Sequence, residues 1–205
     1  MKIFLCLLSF CAVVLQVHSL KCYSCENTAS GCNHTCSSED ICSKDTTKTW
    51  FTQTGIEDGL KSWGCIANEY CFGHVLLQTK LKVGITKREC CQTELCNKGV
   101  ITVVIPDKKN GLRCWSCDND NGENCAEPTI TIDCVDIGTR CFTLYSNSTG
   151  IEQFMRGCAS PSYCSIDPEI GTDFTCCGKD LCNASQNVRA TIGTVWLAVL
   201  SLWLF

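Results

Sequence analysis

Polar and apolar residues alternate with a period of two in several short stretches of the chain, and this pattern predicts β-strands. Thr129–Asp133 alternates throughout, and Lys44–Thr54 alternates in part. Arg140–Ser146 and Glu152–Gly157 flank Asn147–Gly150, whose composition is typical of a hairpin turn. Between the two apolar ends of the chain no window keeps a 3.6-residue apolar period, so the pattern predicts an all-β protein.

The N-terminal end has the layout of a secretory signal peptide. Lys2 precedes the uncharged run Ile3–Leu15, and Val17 and Ser19 occupy the −3 and −1 positions of a cleavage site before Leu20. The apolar run is shorter than the ~20 residues that span a membrane. We therefore expect residues 1–19 to be removed and the mature protein to fold in an oxidising compartment.

The C-terminal end has the pattern of a signal for a glycosylphosphatidylinositol (GPI) anchor. Ala190–Phe205 contains no charged residue, and the small residues Asn183-Ala184-Ser185 precede it across a polar spacer. As a helix this tail would rise roughly 24 Å, less than the ~30 Å of a bilayer core. We expect residues 184–205 to be replaced by a lipid on Asn183 or, as the alternative, on Ser185; a short single-pass tail is the competing interpretation.

The cysteines form an internal repeat. The chain of 205 residues has 22 cysteines, a content typical of a disulfide scaffold. Loss of residues 1–19 leaves two sets of ten, with 2, 6, 3, 5, 22, 5, 18, 0 and 4 residues between successive members in the first and 2, 7, 8, 6, 16, 5, 11, 0 and 4 in the second. We therefore expect two copies of one unit, residues 20–97 and 112–183, joined by a linker of residues 98–111.

The repeat resembles a known domain. Cys22-Tyr23-Ser24-Cys25 and Cys114-Trp115-Ser116-Cys117 open the two copies, and a Cys-Cys-x4-Cys-Asn sequence closes each at Asn97 and Asn183. These motifs and the order of ten cysteines resemble the three-finger domain of the lymphocyte antigen 6 and urokinase receptor (LU) family. The resemblance covers nearly all of the mature chain. It implies an all-β, disulfide-rich fold of two tandem three-finger, snake-toxin-like domains.

The same resemblance implies the disulfide pairing and one further interaction. It implies that Asn97 and Asn183 hydrogen-bond to the first strand of their own domain. The implied pairs are Cys22–Cys42, Cys25–Cys32, Cys36–Cys65, Cys71–Cys90, Cys91–Cys96, Cys114–Cys141, Cys117–Cys125, Cys134–Cys158, Cys164–Cys176 and Cys177–Cys182.

Several function classes are disfavoured. Zinc is the competing chemistry for Cys-x-x-Cys, but neither copy has a second such pair and an oxidising compartment favours disulfides. We therefore expect no metal and no other cofactor. His34 lies in a sequon and His74 in a finger-like loop, neither with an obvious nucleophile partner, and every mature cysteine is expected in a bridge, so we expect no enzymatic activity. The formal net charge of −4, without a long basic run, disfavours nucleic acid as a partner.

Aromatic residues between the fifth and sixth cysteines of each copy are candidates to contact a protein partner, because the family places its central finger there. They are Trp50, Phe51, Trp63, Tyr145 and Phe154. Packing within a thin sheet is the alternative role for each of them.

Sequons predict glycosylation at Asn33 and Asn147. A third sequon, Asn183-Ala184-Ser185, competes with anchoring.

The linker contains a β-prone run, Val100–Ile105, that ends at Pro106. Such a run is an aggregation hazard when it is exposed. We therefore predict that it is buried as a strand, either on the first domain or between the domains; docking of a partner strand is the alternative.

Together these features predict a GPI-anchored cell-surface glycoprotein that binds an extracellular protein through two three-finger domains, as a receptor or adhesion molecule, and contacts the membrane through its lipid. Two alternatives remain: a secreted inhibitor resembling the two-domain gamma-type phospholipase inhibitors, and a modulator of a receptor channel resembling related toxins. The sequence does not identify the partner.

Overall fold

The chain folds into two compact units. The computed structural model describes residues 19–26, 32–119, 125, 127–146, 153–166 and 172–184. The first unit comprises the described residues up to Leu76 together with Lys82–Pro106, and the second comprises Leu77–Leu81 together with the described residues from Asp107 onward. The expected signal peptide up to residue 18, Asn147, Ser185 and the apolar tail lie outside the described residues.

The first unit is built from short and long antiparallel strands. Strands β1 and β3 form one small sheet, and β7, β4, β5 and β2 lie side by side in that order in another. The strands are β1 (Lys21–Tyr23), β2 (Cys25–Glu26), β3 (Asn33–Thr35), β4 (Asp40–Phe51), β5 (Glu57–Ala67), β6 (His74–Gln78) and β7 (Lys82–Cys91), with a 3-10 helix at Asn68–Tyr70. Strand β6 ends in Leu77 and Gln78, which belong to the second unit.

Strands β4 and β5 form the long central finger. Their pairing runs from Asp40 opposite Ala67 to Trp50 opposite Glu57, and β7 pairs with the other edge of β4. The turn between them contains Gly55 at φ +66°, a backbone conformation that glycine adopts without the steric cost of a side chain.

The two faces of this finger differ. Residues opposite one another in an antiparallel pair point to the same face, so Trp63 and Ile85 share one face, and both are buried. We call this side the covered face. The other side, which carries Thr47, Leu60 and Thr86, is the open face.

A linker segment lies over the covered face. We call Lys98–Pro106 the strap: Ile101 and Val103 are buried against Ile85, and the Trp63 indole N–H donates to the Gly99 carbonyl at 2.9 Å. The prediction that this run is buried on the first domain is confirmed for Ile101 and Val103. The prediction of a strand is wrong, because Val100–Ile105 is not part of any strand of the structure and packs through its side chains on a sheet face.

The second unit is also antiparallel. Strand β10 lies between β11 and β12, and β8 pairs with both β9 and β11. The residues Leu77 and Gln78 pair with Ala159 and Cys158 of β11. The elements are β8 (Lys109–Asp118), β9 (Ile130–Val135), β10 (Arg140–Ser146), β11 (Gln153–Ala159), helix α1 (Pro161–Cys164) and β12 (Thr172–Cys177).

Sulfur fills the centre of each unit. Cys22, Cys36 and Cys42 form a buried cluster in the first unit, and the second has an equivalent one around Cys114 and Cys134. The structure has the bridges Cys22–Cys42, Cys25–Cys32, Cys36–Cys65, Cys71–Cys90, Cys91–Cys96, Cys114–Cys141, Cys117–Cys125, Cys134–Cys158, Cys164–Cys176 and Cys177–Cys182. These are the pairs that the family resemblance implies.

Candidate partner-binding surface

One asparagine closes each unit. The Asn97 amide accepts the N–H of Tyr23 at 3.0 Å and donates to the carbonyls of Tyr23 and Ser43 at 2.9 and 2.7 Å. Asn183 makes the same three bonds, accepting from the Trp115 N–H at 3.0 Å and donating to the carbonyls of Trp115 and Phe142 at 3.0 and 2.8 Å. Each buried side chain therefore ties the C-terminal end of its unit to the first strand.

The buried asparagine bears on two sequence expectations. Asn183 is buried, and its backbone carbonyl accepts a hydrogen bond from the guanidinium of Arg156. A glycan or an anchoring enzyme would have to displace these contacts. Asn33, by contrast, is exposed together with the other two residues of its sequon.

Two of the five aromatic candidates are buried. Trp63 is 5% exposed, because it lies on the covered face beneath the strap. Phe154 packs against Cys117 and Cys125 in the second unit, and the Arg156 guanidinium carbon lies 4.9 Å from its ring centroid. The expectation that Trp63 and Phe154 contact a partner is therefore corrected: both are part of the core.

Tyr145 is intermediate. Its ring meets that of Phe154 edge-on, with the centroids 6.2 Å apart, and it is half-buried. This contact makes it a part of the packing around Phe154 rather than an independent surface feature.

The remaining two candidates lie at the tip of the central finger. Trp50 is 37% exposed and Phe51 is 38% exposed, although both are large and apolar. The Trp50 ring lies beside Gly55: a side chain added to that glycine would have its Cβ 3.7 Å from Trp50 Cη2. The turn thus supports Trp50 from below while leaving much of its ring accessible.

The structure adds two apolar residues that the aromatic pattern missed. Ile56 follows Gly55 in the turn, and Leu60 stands opposite Thr47 on the open face; both are exposed. We call Trp50, Phe51, Ile56 and Leu60 the finger surface. The period-two pattern of β5 could have shown Leu60 to face away from Trp63, since the two differ in parity.

The base of the open face is rigid and polar. Arg88 donates from Nε and Nη2 to the two carboxylate oxygens of Asp45 at 2.7 and 2.8 Å, and from Nη1 to the Tyr70 carbonyl at 2.7 Å. Nearer the tip, the hydroxyls of Thr47 and Thr86 are 2.9 Å apart. A bidentate pair of this kind fixes orientation, so the open face presents a preformed surface.

Opposite charges on the finger are paired. Lys48 pairs with Glu57, and Lys44 lies 3.1 Å from Glu89. The hydrogen bond from Lys44, with a smaller contribution from Lys87, holds the pKa of Glu89 below its usual value. These ion pairs neutralise part of the charge on the finger.

Buried polar residues of the second unit were missed by the sequence analysis. Arg156 is fully buried, donates from Nε to the Cys125 carbonyl at 3.0 Å, and also contacts Asn183. Burial lowers the pKa of this guanidinium and raises the pKa of the Tyr163 phenol. A lone arginine in a β-strand carries no sequence signal of burial, so only the fold reveals this role.

Two groups of cysteine sulfurs come within 4.8 Å of one another, Cys22 with Cys36 and Cys65, and Cys114 with Cys134 and Cys158. All six sulfurs are bridged. Metal ligation needs thiolates, so these groups are disulfide cores rather than metal sites.

Comparison with known proteins identifies the family. Residues 18–99 match the family model for the u-PAR/Ly-6 domain, and residues 112–183 match the model for snake toxin and toxin-like proteins. The chain thus carries one u-PAR/Ly-6 domain and one snake toxin-like domain. It is similar to the urokinase plasminogen activator surface receptors of Aotus trivirgatus (34% identical, covering 46% of this chain and 31% of the receptor) and Bos taurus (33%, 46% and 31%).

The urokinase plasminogen activator surface receptor of Mus musculus aligns over a longer stretch; it is 23% identical over 73% of this chain and 48% of the receptor. The chain thus spans less than half the length of each of these relatives. Mouse TEX101, a solved structure, aligns with 73% of this chain and 87% of its own at 13% identity, with a TM-score of 0.30, which is too low to support an inference. None of the helices in the described part of the chain has the length and apolar character needed to span a bilayer.

Proposed function

We propose that this protein is a GPI-anchored cell-surface glycoprotein, without enzymatic activity, that binds an extracellular protein through the finger surface. The observation that carries the proposal is the exposure of Trp50, Phe51, Ile56 and Leu60 on one finger. The strand register directs Trp50 to the same face as Trp63, at the tip, and directs Phe51 and Leu60 to the open face. Exposed large apolar side chains that are grouped on one element mark interaction sites.

The covered face explains why the binding surface lies where it does. The strap already occupies the side of the finger that carries Trp63 and Ile85. The open face and the tip are the parts of β4 and β5 that keep apolar side chains accessible. Aromatic side chains held on a rigid sheet lose little conformational entropy on binding, which raises the affinity for a given buried area.

The relatives support the class of partner. The matched relatives are named as surface receptors for a protein ligand, the urokinase plasminogen activator. Because this chain aligns with only part of those receptors, its own ligand is proposed by chemistry alone: an extracellular protein with an apolar recess that accepts Trp50 and Phe51.

Binding is tested with matched variants of the purified mature ectodomain. Fluorescent multimers of wild type, Trp50→Ala/Phe51→Ala and Ile130→Ala are compared for saturable binding to cells that express candidate partners. Ile130 is an exposed apolar residue of the second unit and controls for loss of apolar surface. We expect the finger variant to lose at least about tenfold in affinity and Ile130→Ala to bind as wild type. Equal binding by all three would contradict the proposal.

We propose Ser185 as the attachment residue of the anchor. Attachment requires an enzyme to reach the carbonyl carbon of the attachment residue, and the Asn183 carbonyl is turned toward the buried Arg156. Ala184 is exposed, and Ser185 is the next small residue along the chain. The sequence alternative, Ser185, is therefore preferred to Asn183.

Phosphatidylinositol-specific phospholipase C tests the anchor. We expect the enzyme to release the protein from transfected cells, and mass spectrometry of the released C-terminal peptide to find ethanolamine phosphate on Ser185. Mass spectrometry of the other peptides of the released protein is expected to show a glycan on Asn33, and the C-terminal peptide is expected to have an unmodified Asn183 side chain. Protein that stays on the cell after phospholipase treatment would favour a spanning tail, and protein that is found in the medium without this treatment would favour the secreted alternative.

A further inference from the structure

A tyrosine lies directly opposite the exposed sequon of the first unit. Strand β1 pairs antiparallel with β3, and Tyr23 stands opposite Asn33. Residues opposite one another in an antiparallel pair point to the same face of the sheet. Asn33 is exposed and Tyr23 is half-buried. The side chain that is expected to carry a glycan therefore has an aromatic ring beside it.

The backbone bonds of Tyr23 show that the two side chains are close. The Tyr23 N–H donates to Asn97 Oδ1 at 3.0 Å, and the Tyr23 carbonyl accepts from Asn97 Nδ2 at 2.9 Å. Both groups are thus turned away from β3, whereas the next N–H, of Ser24, donates to the Cys32 carbonyl at 2.7 Å. Tyr23 and Asn33 therefore form a non-hydrogen-bonded pair, in which the Cα atoms lie about 4.5 Å apart and the side chains approach most closely.

The rest of this face directs an attached sugar to the tyrosine. Lys21 and Thr35 form the other pair on the same face, and both are exposed. Cys22 and His34 lie between the two pairs and point to the opposite face. Within β1 and β3, Tyr23 is thus the one residue of this face that offers apolar surface.

The small sheet has little packing of its own. Strands β1 and β3 have 3 residues each, and all of β3 is exposed. A two-stranded sheet of this size is marginally stable without further contacts. A group that covers the Tyr23 ring would therefore stabilise it.

We propose that the first N-acetylglucosamine on Asn33 packs on the ring of Tyr23 and stabilises the sheet of β1 and β3. This inference rests on the proposed glycosylation of Asn33. The sugar is joined to Asn33 Nδ2, so it rises from the sheet on the side of the tyrosine. The face of an aromatic ring carries negative charge density, and the C–H groups on one face of a pyranose ring are weakly positive. The two rings are placed to stack.

A double-mutant cycle tests the contact. The mature ectodomain is produced in cells that make only high-mannose glycans, and endoglycosidase H then leaves one N-acetylglucosamine at each occupied sequon. Melting temperatures are compared for wild type, Asn33→Gln, Tyr23→Leu and the double variant. We expect the single sugar on Asn33 to raise the melting temperature of wild type by at least about 2 °C relative to Asn33→Gln. With Tyr23→Leu, which removes the aromatic face, we expect less than about half of this rise.

Two further tyrosine variants serve as controls. Tyr23→Phe keeps the ring and is expected to keep the full effect of the sugar. Tyr70 is 42% exposed and lies outside β1 and β3, so Tyr70→Leu is expected to leave the effect unchanged.

Mass spectrometry of the peptide that contains Asn33 measures its occupancy. An unmodified Asn33 would contradict the proposed glycosylation and the contact together. A modified Asn33 whose sugar does not raise the melting temperature of wild type, or raises that of Tyr23→Leu equally, would overturn the contact alone.

Discussion

At the scale of single residues, one buried asparagine in each unit holds distant backbone segments together through hydrogen bonds. Asn97 and Asn183 each bridge three backbone groups from distant parts of the chain. Both are buried, and a buried amide that satisfies backbone donors and acceptors specifies one arrangement of strands. The near-identical distances in the two units show that the repeat is one of geometry as well as of cysteine order.

The variant Asn97→Asp isolates the two donated hydrogen bonds, because aspartate has the same shape and keeps the acceptor. It places a carboxylate against the carbonyls of Tyr23 and Ser43 in a buried site. We expect a loss of about 3 kcal/mol or more in the free energy of unfolding, measured by denaturant titration with the disulfides intact. Asn68→Asp, at an exposed position outside any sequon, is the control and is expected to change stability by less than about 0.5 kcal/mol. A similar small effect for Asn97→Asp would show that the amide donors do not hold the unit closed.

At the scale of elements, alternate residues of the strap have different environments: one set is buried on the first unit, and the other set is exposed to solvent. Its inward residues contact Ile85, and its outward residues do not pack on the first unit. The burial of Ile101 and Val103 stabilises the covered face, while Val104 stays exposed to solvent.

Adjacent valines test this division. Val103→Ala removes two buried methyl groups and is expected to lower the free energy of unfolding by about 1–2 kcal/mol. Val104→Ala makes the same chemical change on an exposed residue and is expected to have an effect of less than about 0.5 kcal/mol. Thermal unfolding of both variants measures the difference, and equal effects would mean that the strap does not lie on the covered face.

The contact between β8 and β9 predicts a pH dependence. Lys109 donates to Asp133 at 2.6 Å, and this bond lowers the pKa of the exposed carboxyl group. A carboxyl whose pKa is lower in the folded state contributes stability above its ordinary pKa, and this contribution disappears as the pH falls through the folded-state pKa.

We therefore expect Asp133→Asn to melt slightly below wild type at about pH 6, and this difference to disappear as the pH falls through the folded-state pKa of Asp133 and the wild-type carboxyl is protonated too. The effect is small because the pair is exposed. When Lys109→Met is already present, we expect Asp133→Asn to lower the melting temperature at about pH 6 by less than it does in wild type. A difference that persists unchanged in acid would assign the effect to something other than this ion pair.

Much of the strand pattern was readable from the sequence. Arg140–Ser146 is both the predicted segment and the observed β10, and β9 and β11 begin within one residue of the predicted starts. The sequence did not predict that Trp63 and Phe154 are buried while Trp50 and Phe51 are exposed, because the identity of an aromatic residue does not indicate which face of a strand it occupies. That assignment depends on where the strap and the loop around Cys125 pack, which are contacts distant in sequence.

At the scale of the whole molecule, the division into units differs from the simple repeat by one segment. Leu77–Leu81 belongs with the second unit, although it lies between Cys71 and Cys90 of the first cysteine set. The gap there has 18 residues against 11 in the second set. Gap length alone does not say where the extra residues pack. Their place is set by the Gln78 amide, which donates to the Asp133 carbonyl at 3.0 Å and accepts the Val135 N–H at 3.1 Å.

Gly157 makes this packing possible and supplies the sharpest test of it. A Cβ on Gly157 would overlap the Gln78 carbonyl oxygen, a backbone atom that has no flexible side chain to give way. We expect Gly157→Ala to lower the free energy of unfolding by about 1–3 kcal/mol or more, and to speed trypsin cleavage after Lys80 as the segment leaves β11. Gly64→Ala is the control, because its added Cβ meets nothing within 4 Å. If Gly157→Ala melts and resists trypsin as wild type does, Leu77–Leu81 does not lie against β11, and the second unit closes without it.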